Sequence, residues 1–301
     1  MLSESRRVQR ESEGIMDRVA ILGMGLLGTS VGLALRAAGF TGSIVGWNRS
    51  AEGGQTAFSL GAIDAIIADP IEAARQAEVI ILAVPIYSIL DLMERLAPVL
   101  GPNQLLTDVG STKGTITEAG NRLFNQSDRA AFLPGHPMAG KERGGAALGD
   151  AALFENAVWL FTDHNPQSRT AQVEALILEF RKWITKIGSR QLELDPHRHD
   201  ELVGWVSHLP QFVSTALSAL LEEQIGAAPE LRQVGGRALR EMTRLGSSPF
   251  SMWRDIALTN TDAVSNALLA LEQRIAHLRE NLRTPVLRDE FEIANRFRKD
   301  Q

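Results

Sequence analysis

Gly23-Met24-Gly25-Leu26-Leu27-Gly28 follows directly on the apolar run Val19 to Leu22 and opens a segment, Leu26 to Ala38, whose helical periodicity stops at Gly39. G-x-G-x-x-G is a weak signal alone, but between a strand and a helix each glycine has a task. Gly23 makes the tight turn, Gly25 lets a pyrophosphate approach the backbone, and Gly28 lets the helix pack on the strand. Free N–H groups at the helix N-terminus, those of Leu26 and Leu27 among them, present positive partial charge to a phosphate. The spacing predicts a dinucleotide-binding unit of Rossmann type. The alternative, a glycine turn in an α/β core without a ligand, fits the flanking strand and helix less well.

Further strands are expected at Ser43 to Trp47, Val79 to Val84, Gln104 to Val109 and Ala157 to Thr162. Strands alternating with helices imply a doubly wound, mostly parallel sheet. After Asn165-Pro166 the character changes. Helices are expected at Gln167 to Trp183, at Glu201 to Glu223 despite Pro210, and at Thr261 to Arg283, with few strand signals. The 301 residues thus divide into an arm (1–15), a nucleotide-binding domain (16–165) and an all-helical domain (166–301) for substrate and dimerisation. The arm is too polar to offset its own ordering, and Met16 is an alternative start. Arg288 to Gln301 reads as a solvated helix or tail.

Composition narrows the chemistry. With 31 Lys+Arg against 36 Asp+Glu, nothing suggests bulk affinity for nucleic acid or an anionic membrane. Cysteine is absent, which removes thiolate nucleophiles, Cys-ligated zinc and iron–sulfur clusters. The N-terminus lacks an apolar core segment, and the longest apolar run, Val79 to Pro85, is too short to span a bilayer. A cytoplasmic location is expected.

The end of the second strand bears on the cofactor. An acidic residue about 20 residues after the loop holds the ribose of NAD. Here that stretch reads Gly46-Trp47-Asn48-Arg49-Ser50. Arg49 can pair with a 2′-phosphate, and Asn48 and Ser50 can donate to it, so NADP is favoured over NAD. The alternative is a solvated Arg49, with NAD bound without an acidic anchor. His136 sits between Gly135 and Pro137, rigid flanks that exclude regular helix and central strand. From the residues alone it is either a positioned acid or base or a histidine satisfying a turn. Ser111, in Asp108-Val109-Gly110-Ser111-Thr112-Lys113-Gly114, follows a strand and can touch the ligand, cap a helix, or do both. His208 on an amphipathic helix reads first as a satisfied core histidine. His197 and His199 point to nearly opposite faces of a helix and read as surface or first-turn residues rather than metal ligands.

These motifs, in this order, resemble the prephenate/arogenate dehydrogenase family of tyrosine biosynthesis: G-x-G-x-x-G, Ala83-Val84-Pro85, D-V-G-S-T-K-G and Gly135-His136-Pro137-Met138-Ala139-Gly140. Val206-Ser207-His208-Leu209-Pro210, Thr243-Arg244 and Met252-Trp253-Arg254-Asp255-Ile256 continue the likeness through the second half. The resemblance implies oxidative decarboxylation of a cyclohexadienol with a nicotinamide cofactor, giving 4-hydroxyphenylpyruvate or tyrosine. It implies that His136 takes the proton of the ring hydroxyl and that Ser111 assists. It assigns a substrate carboxylate to Arg244, pocket positions to His208, Gln211 and Glu142, and cofactor contacts to Val84 and Pro85. It also implies a homodimer. Two departures stand out. Gln211 replaces a second histidine of S-H-L-P-H, which leaves arogenate open because a neutral amide accepts from an ammonium. Leu239-Arg240-Glu241 stands where F-R-D is common, and Glu241 is expected to keep an ion pair. The competing readings are a two-domain hydroxy-acid or imine reductase, disfavoured because Glu201 to Glu223 holds no lysine, and a non-catalytic nucleotide-binding regulator.

Overall fold

Val19 and Ile21 of the first strand join one hydrophobic cluster, Ala20 and Leu22 another, and all four are buried. A strand buried on both sides needs a layer on each face, which is the condition for a parallel sheet with crossover helices. The computed structural model, which describes residues 15–124, 128–163 and 169–299, has that form. Its first half runs β1 (Arg18–Leu22), α1 (Leu26–Ala37), β2 (Ser43–Trp47), α2 (Ala51–Ser59), β3 (Ala65–Ile66), α3 (Pro70–Arg75), β4 (Val79–Leu82), α4 (Ile86–Leu96), β5 (Leu105–Asp108), α5 (Gly114–Phe124) and β6 (Ala131–Leu133). The six strands pair in parallel in the order β3-β2-β1-β4-β5-β6. The order reverses between β1 and β4, and ligands bind at such a switch, beyond the carboxyl ends of the strands.

A second sheet follows: β7 (Gly135–Pro137), β8 (Val158–Phe161) and, after α6 (Ala171–Lys186), β9 (Arg190–Glu193). β7 is an antiparallel edge strand with His136 opposite Leu160. A three-residue edge strand tolerates Pro137, which a central strand would not. The expected domain break, His164 to Ser168, lies outside the described residues, as does all but Ile15 of the expected arm. In packing terms the first half runs on to Glu193. Val173, Leu176, Ile177 and Phe180 of α6 lie in the cluster on one face of the large sheet, and β9 pairs with β8.

The second half is helical: α7 (Pro196–Val203), a π turn (Gly204–His208), α8 (Leu209–Ile225), α9 (Leu231–Val234), α10 (Arg237–Thr243), a 3₁₀ turn (Arg244–Ser247), α11 (Phe250–Thr259), α12 (Thr261–Glu280) and α13 (Val286–Lys299). The helix expected from Glu201 thus begins earlier, capped by Asp195, whose side chain accepts from His197 N and Arg198 N. Pro210 is accommodated because it sits at the restart after the π turn. The charged C-terminal stretch is a helix with none of its residues buried. Val234, Phe250, Leu269, Leu282, Phe291 and Phe297 are all exposed on this single chain. No described helix is long and apolar enough to cross a membrane.

The glycine loop shows why two of its glycines are structural. Gly23 lies at φ +115°, and a Cβ there would strike the Ala83 carbonyl. A Cβ on Gly28 would collide with the Gly23 carbonyl, whereas one on Gly25 would meet open space. Gly28→Ala is expected to destabilise the fold by about 1–3 kcal/mol, the usual cost of overpacking, and Gly25→Ala by less than about 0.5 kcal/mol. Urea unfolding of both variants checks this; equal losses contradict it.

Candidate active site

The crevice at the switch point is lined from its two sides. Gly25 caps α1 and offers no side-chain acceptor to the helix's first N–H groups, and a Cβ on Gly25 would meet open space. Val84 and Pro85 stand opposite, after β4; Val84 packs on Gly23 and Pro85 starts α4. An uncapped helix N-terminus with room before it fits a pyrophosphate. At the end of β2, Asn48 Oδ1 accepts from Met24 N at 3.0 Å, and its Nδ2 donates to Ser50 O (3.1 Å) and Ser50 Oγ (3.0 Å). Both amide hydrogens are engaged, so Asn48 braces the loop and is not the free donor to a 2′-phosphate expected above. Ser50 Oγ also caps α2 by accepting from Gly53 N, which leaves its own hydroxyl hydrogen to give. Arg49 is exposed and forms no ion pair among the described residues.

His136 follows β6, on the carboxyl edge of the same sheet, and is 8% exposed. Its Nδ1 lies 2.9 Å from His199 Nε2, and His199 Nδ1 lies 2.8 Å from Asp200 Oδ1. Asp200 also accepts from Lys113 N (2.7 Å) and Gly114 N (2.8 Å), capping α5 from the other half of the chain. Lys113 Nζ pairs with Asp108, whose carboxylate further accepts from Gly110 N (2.8 Å) and Gly135 N (3.1 Å). Asn260 Nδ2 donates to the Asp200 carbonyl (2.8 Å) and lies 3.2 Å from His208 Nδ1. His208, 1% exposed, packs edge-on against Trp253, as does Phe212. The π turn ends on His208 and presents it to Asn260; such turns recur at functional sites.

Burial sets the charge of this cluster. It holds His136 well below its usual value, and the Lys113 ammonium lowers it further. His208 is pushed down to about 4 by burial, with Asp200 opposing. Burial lowers His199 too, against the pull of its hydrogen bond to Asp200, and lowers Lys113 against Asp108. All three imidazoles are therefore neutral at pH 7. Among the described residues no group of histidines and carboxylates is placed to hold a metal.

The rim holds the remaining residues. Gln211 is 4% exposed, and its Nε2 donates to Leu245 O (2.7 Å) and Thr215 Oγ1 (3.2 Å), so its amide braces the 3₁₀ turn that carries Arg244. Arg244 forms an ion pair with Glu142, six residues after His136 in the chain. Ser111 is half-buried in the loop between β5 and α5. Glu241 does keep an ion pair, but with Arg237 on its own helix (2.6 Å).

The two halves match family models separately: residues 31–186 the nucleotide-binding domain of prephenate dehydrogenase, and residues 195–295 its dimerization domain. The chain belongs to the prephenate dehydrogenase family. It is 31% identical to the prephenate dehydrogenase of Lactococcus lactis over 82% of this chain, but spans only 66% of that protein's length. The Aquifex aeolicus prephenate dehydrogenase, solved with hydroxyphenyl propionate and NAD+, superposes with a TM-score of 0.79 at 29% identity, covering 94% of this chain and 96% of that one. The arogenate dehydrogenase of Synechocystis gives 0.74 at 26%, covering 94% and 99%.

Sequence reasoning missed His199, Asp200, Lys113 and Asn260 at this site. His199 is buried and hydrogen-bonded, not a surface residue; of the pair, His197 alone is exposed. The signal was the spacing of Pro196, His199, Asp200 and Val203, the buried face of α7. Neutral burial also has a thermodynamic sign. An unfolded histidine titrates near 6.5 and His208 near 4, so between these values the unfolded chain binds more protons. Stability is expected to be full above about pH 6.5 and to fall as pH drops toward 4. Calorimetry should show the melting temperature dropping already between pH 6.5 and 5, above the carboxylate range; a flat profile there contradicts neutral burial.

Proposed function

We propose that this chain catalyses the oxidative decarboxylation of prephenate or arogenate, with NADP favoured over NAD. The observation that carries the reading is His136: a buried, neutral imidazole at the carboxyl edge of the nucleotide-binding sheet, held rigidly by β7. Oxidising the ring alcohol removes a hydride and the hydroxyl proton, and loss of the ring carboxylate as CO₂ makes the ring aromatic. The nicotinamide, when bound, supplies the hydride acceptor. His136 receives the hydroxyl proton, which requires its neutral form. Ser111, one loop away at the end of β5, assists in holding the hydroxyl. Arg244 offers a planar fork to a substrate carboxylate and exchanges Glu142 for it. His208 closes the pocket from the helical half. Gln211 has both amide hydrogens on protein acceptors, so only its Oε1 is left for the substrate, an acceptor that suits the ammonium of arogenate.

Arg49 and the absence of a carboxylate at the end of β2 support NADP. The exposed Val234, Phe250, Leu269, Leu282 and Phe291 of the helical half, within the segment matching the dimerization domain, support a homodimer. The deciding experiment gives the purified protein prephenate or arogenate, each with NAD⁺ or NADP⁺, and follows cofactor reduction by absorbance. Reduction is expected with NADP⁺, arogenate being the better substrate. Silence in all four combinations overturns the assignment. His136→Asn is expected to lower kcat by about 10²–10⁴-fold, the range general-base catalysis supplies, with little change in NADP affinity. Arg49→Ala should weaken NADP binding far more than NAD binding; equal losses remove it from the phosphate site.

A further inference from the structure

We propose that His199 and Asp200 are positioning residues that fix which nitrogen of His136 carries its hydrogen, leaving His136 Nε2 bare for proton abstraction. The inference rests on the reading of His136 as the base and follows from the polarity of three hydrogen-bonded groups. Asp200 Oδ1 accepts from Lys113 N and its Oδ2 from Gly114 N, at the positive end of α5, so both oxygens act as acceptors. An ionised carboxylate only accepts, so His199 Nδ1, 2.8 Å away, carries a hydrogen. His199 is buried and neutral, so its Nε2 is the acceptor. The hydrogen between His199 Nε2 and His136 Nδ1, 2.9 Å apart, therefore belongs to His136. His136 is neutral as well, which leaves Nε2 with its lone pair. The opposite polarity would require the carboxylate to donate.

Two further observations agree. The sealed and unpartnered side-chain nitrogens and oxygens among the described residues are those of Thr29, Thr107, Trp159 and Trp253; His136 Nε2 is not among them and keeps access from outside. The groups around the ring are Asp108 at the end of β5, Lys113 from the loop after it, His199 and Asp200 from α7, and His208 from the π turn. Burial and the Lys113 ammonium disfavour a resting imidazolium on His136. Once His136 takes a proton at Nε2, its Nδ1–H bond to His199 becomes charge-assisted and stronger.

Imidazole nitrogen NMR on the full chain tests the polarity without any substrate. His136 and His199 are both expected as Nδ1–H tautomers at pH 7.5; an Nε2–H tautomer at His136 overturns the proposal. Two variants test its consequence. The amide of His199→Gln can still donate to Asp200 and accept from His136, whereas His199→Leu can do neither. His199→Leu is expected to lower kcat about 10- to 100-fold, within the range general-base catalysis supplies, with substrate KM changed less than about twofold. His199→Gln should recover most of that loss. Equal losses in the two variants, or a loss confined to KM, overturn the positioning role. Should His199→Leu fail to fold, the wild-type tautomer still decides. If the tautomers are as expected but neither substrate is turned over, the assigned reaction fails and the polarity stands.

Discussion

The Asp200 carboxylate is the charge around which the two halves of this molecule are organised. Burying a carboxylate is unfavourable unless donors replace its water. Here the donors come from two directions: the first backbone N–H groups of α5, at the positive end of that helix, and the His199 ring. Asn260 adds a bond to the same residue's backbone carbonyl and reaches on to His208. One side chain of the helical half thus completes a helix of the nucleotide-binding half and orients the histidine in front of it. Without it, two N–H groups would lose their acceptor and the imidazole pair would lose its direction.

A second buried charge supports the first. Asp108 and Lys113 are both wholly inaccessible and paired with each other. A buried pair is weak grounds for stability, because desolvation opposes the Coulomb attraction. Its role here is geometric. Asp108 also holds Gly110 N and Gly135 N, so the end of β5, the loop carrying Ser111 and the strand carrying His136 share one carboxylate. The ammonium brought inside by that arrangement also keeps the neighbouring histidine uncharged.

The nucleotide-binding crevice was legible in the sequence because its determinants are local. The turn at Gly23, the close packing at Gly28 and the apolar run before them lie within ten residues, and local sterics decide their conformation. His136 stood out for the same reason, through its glycine and proline flanks. Its chemistry was not legible, because the partner that orients it lies 63 residues away in the chain. The strands β3, β6, β7 and β9 escaped: the first three are two or three residues long and give no period to count, and β9 has no buried residue to mark it. Asn48 shows the limit of reading residue type as role. Its amide suits a phosphate on paper, yet the fold turns it inward to hold Met24. The amide hydrogens of Gln211 likewise brace the turn beside Arg244, which the sequence did not show.

Asp200 is not the only link across the junction. Asp255 of α11 places its carboxylate at the first turn of α4, 3.5 Å from Tyr87 N, and Thr259 meets Thr112 at 2.8 Å. The two halves are therefore stitched at the loops after β4 and β5, which flank the crevice from one side. Swinging them apart as a hinged clamshell would strip acceptors from two helix ends at once and expose a buried carboxylate to a partial unfolding. Ligands then have to be admitted by local movement of loops and side chains at the rim, while the frame behind His136 stays still.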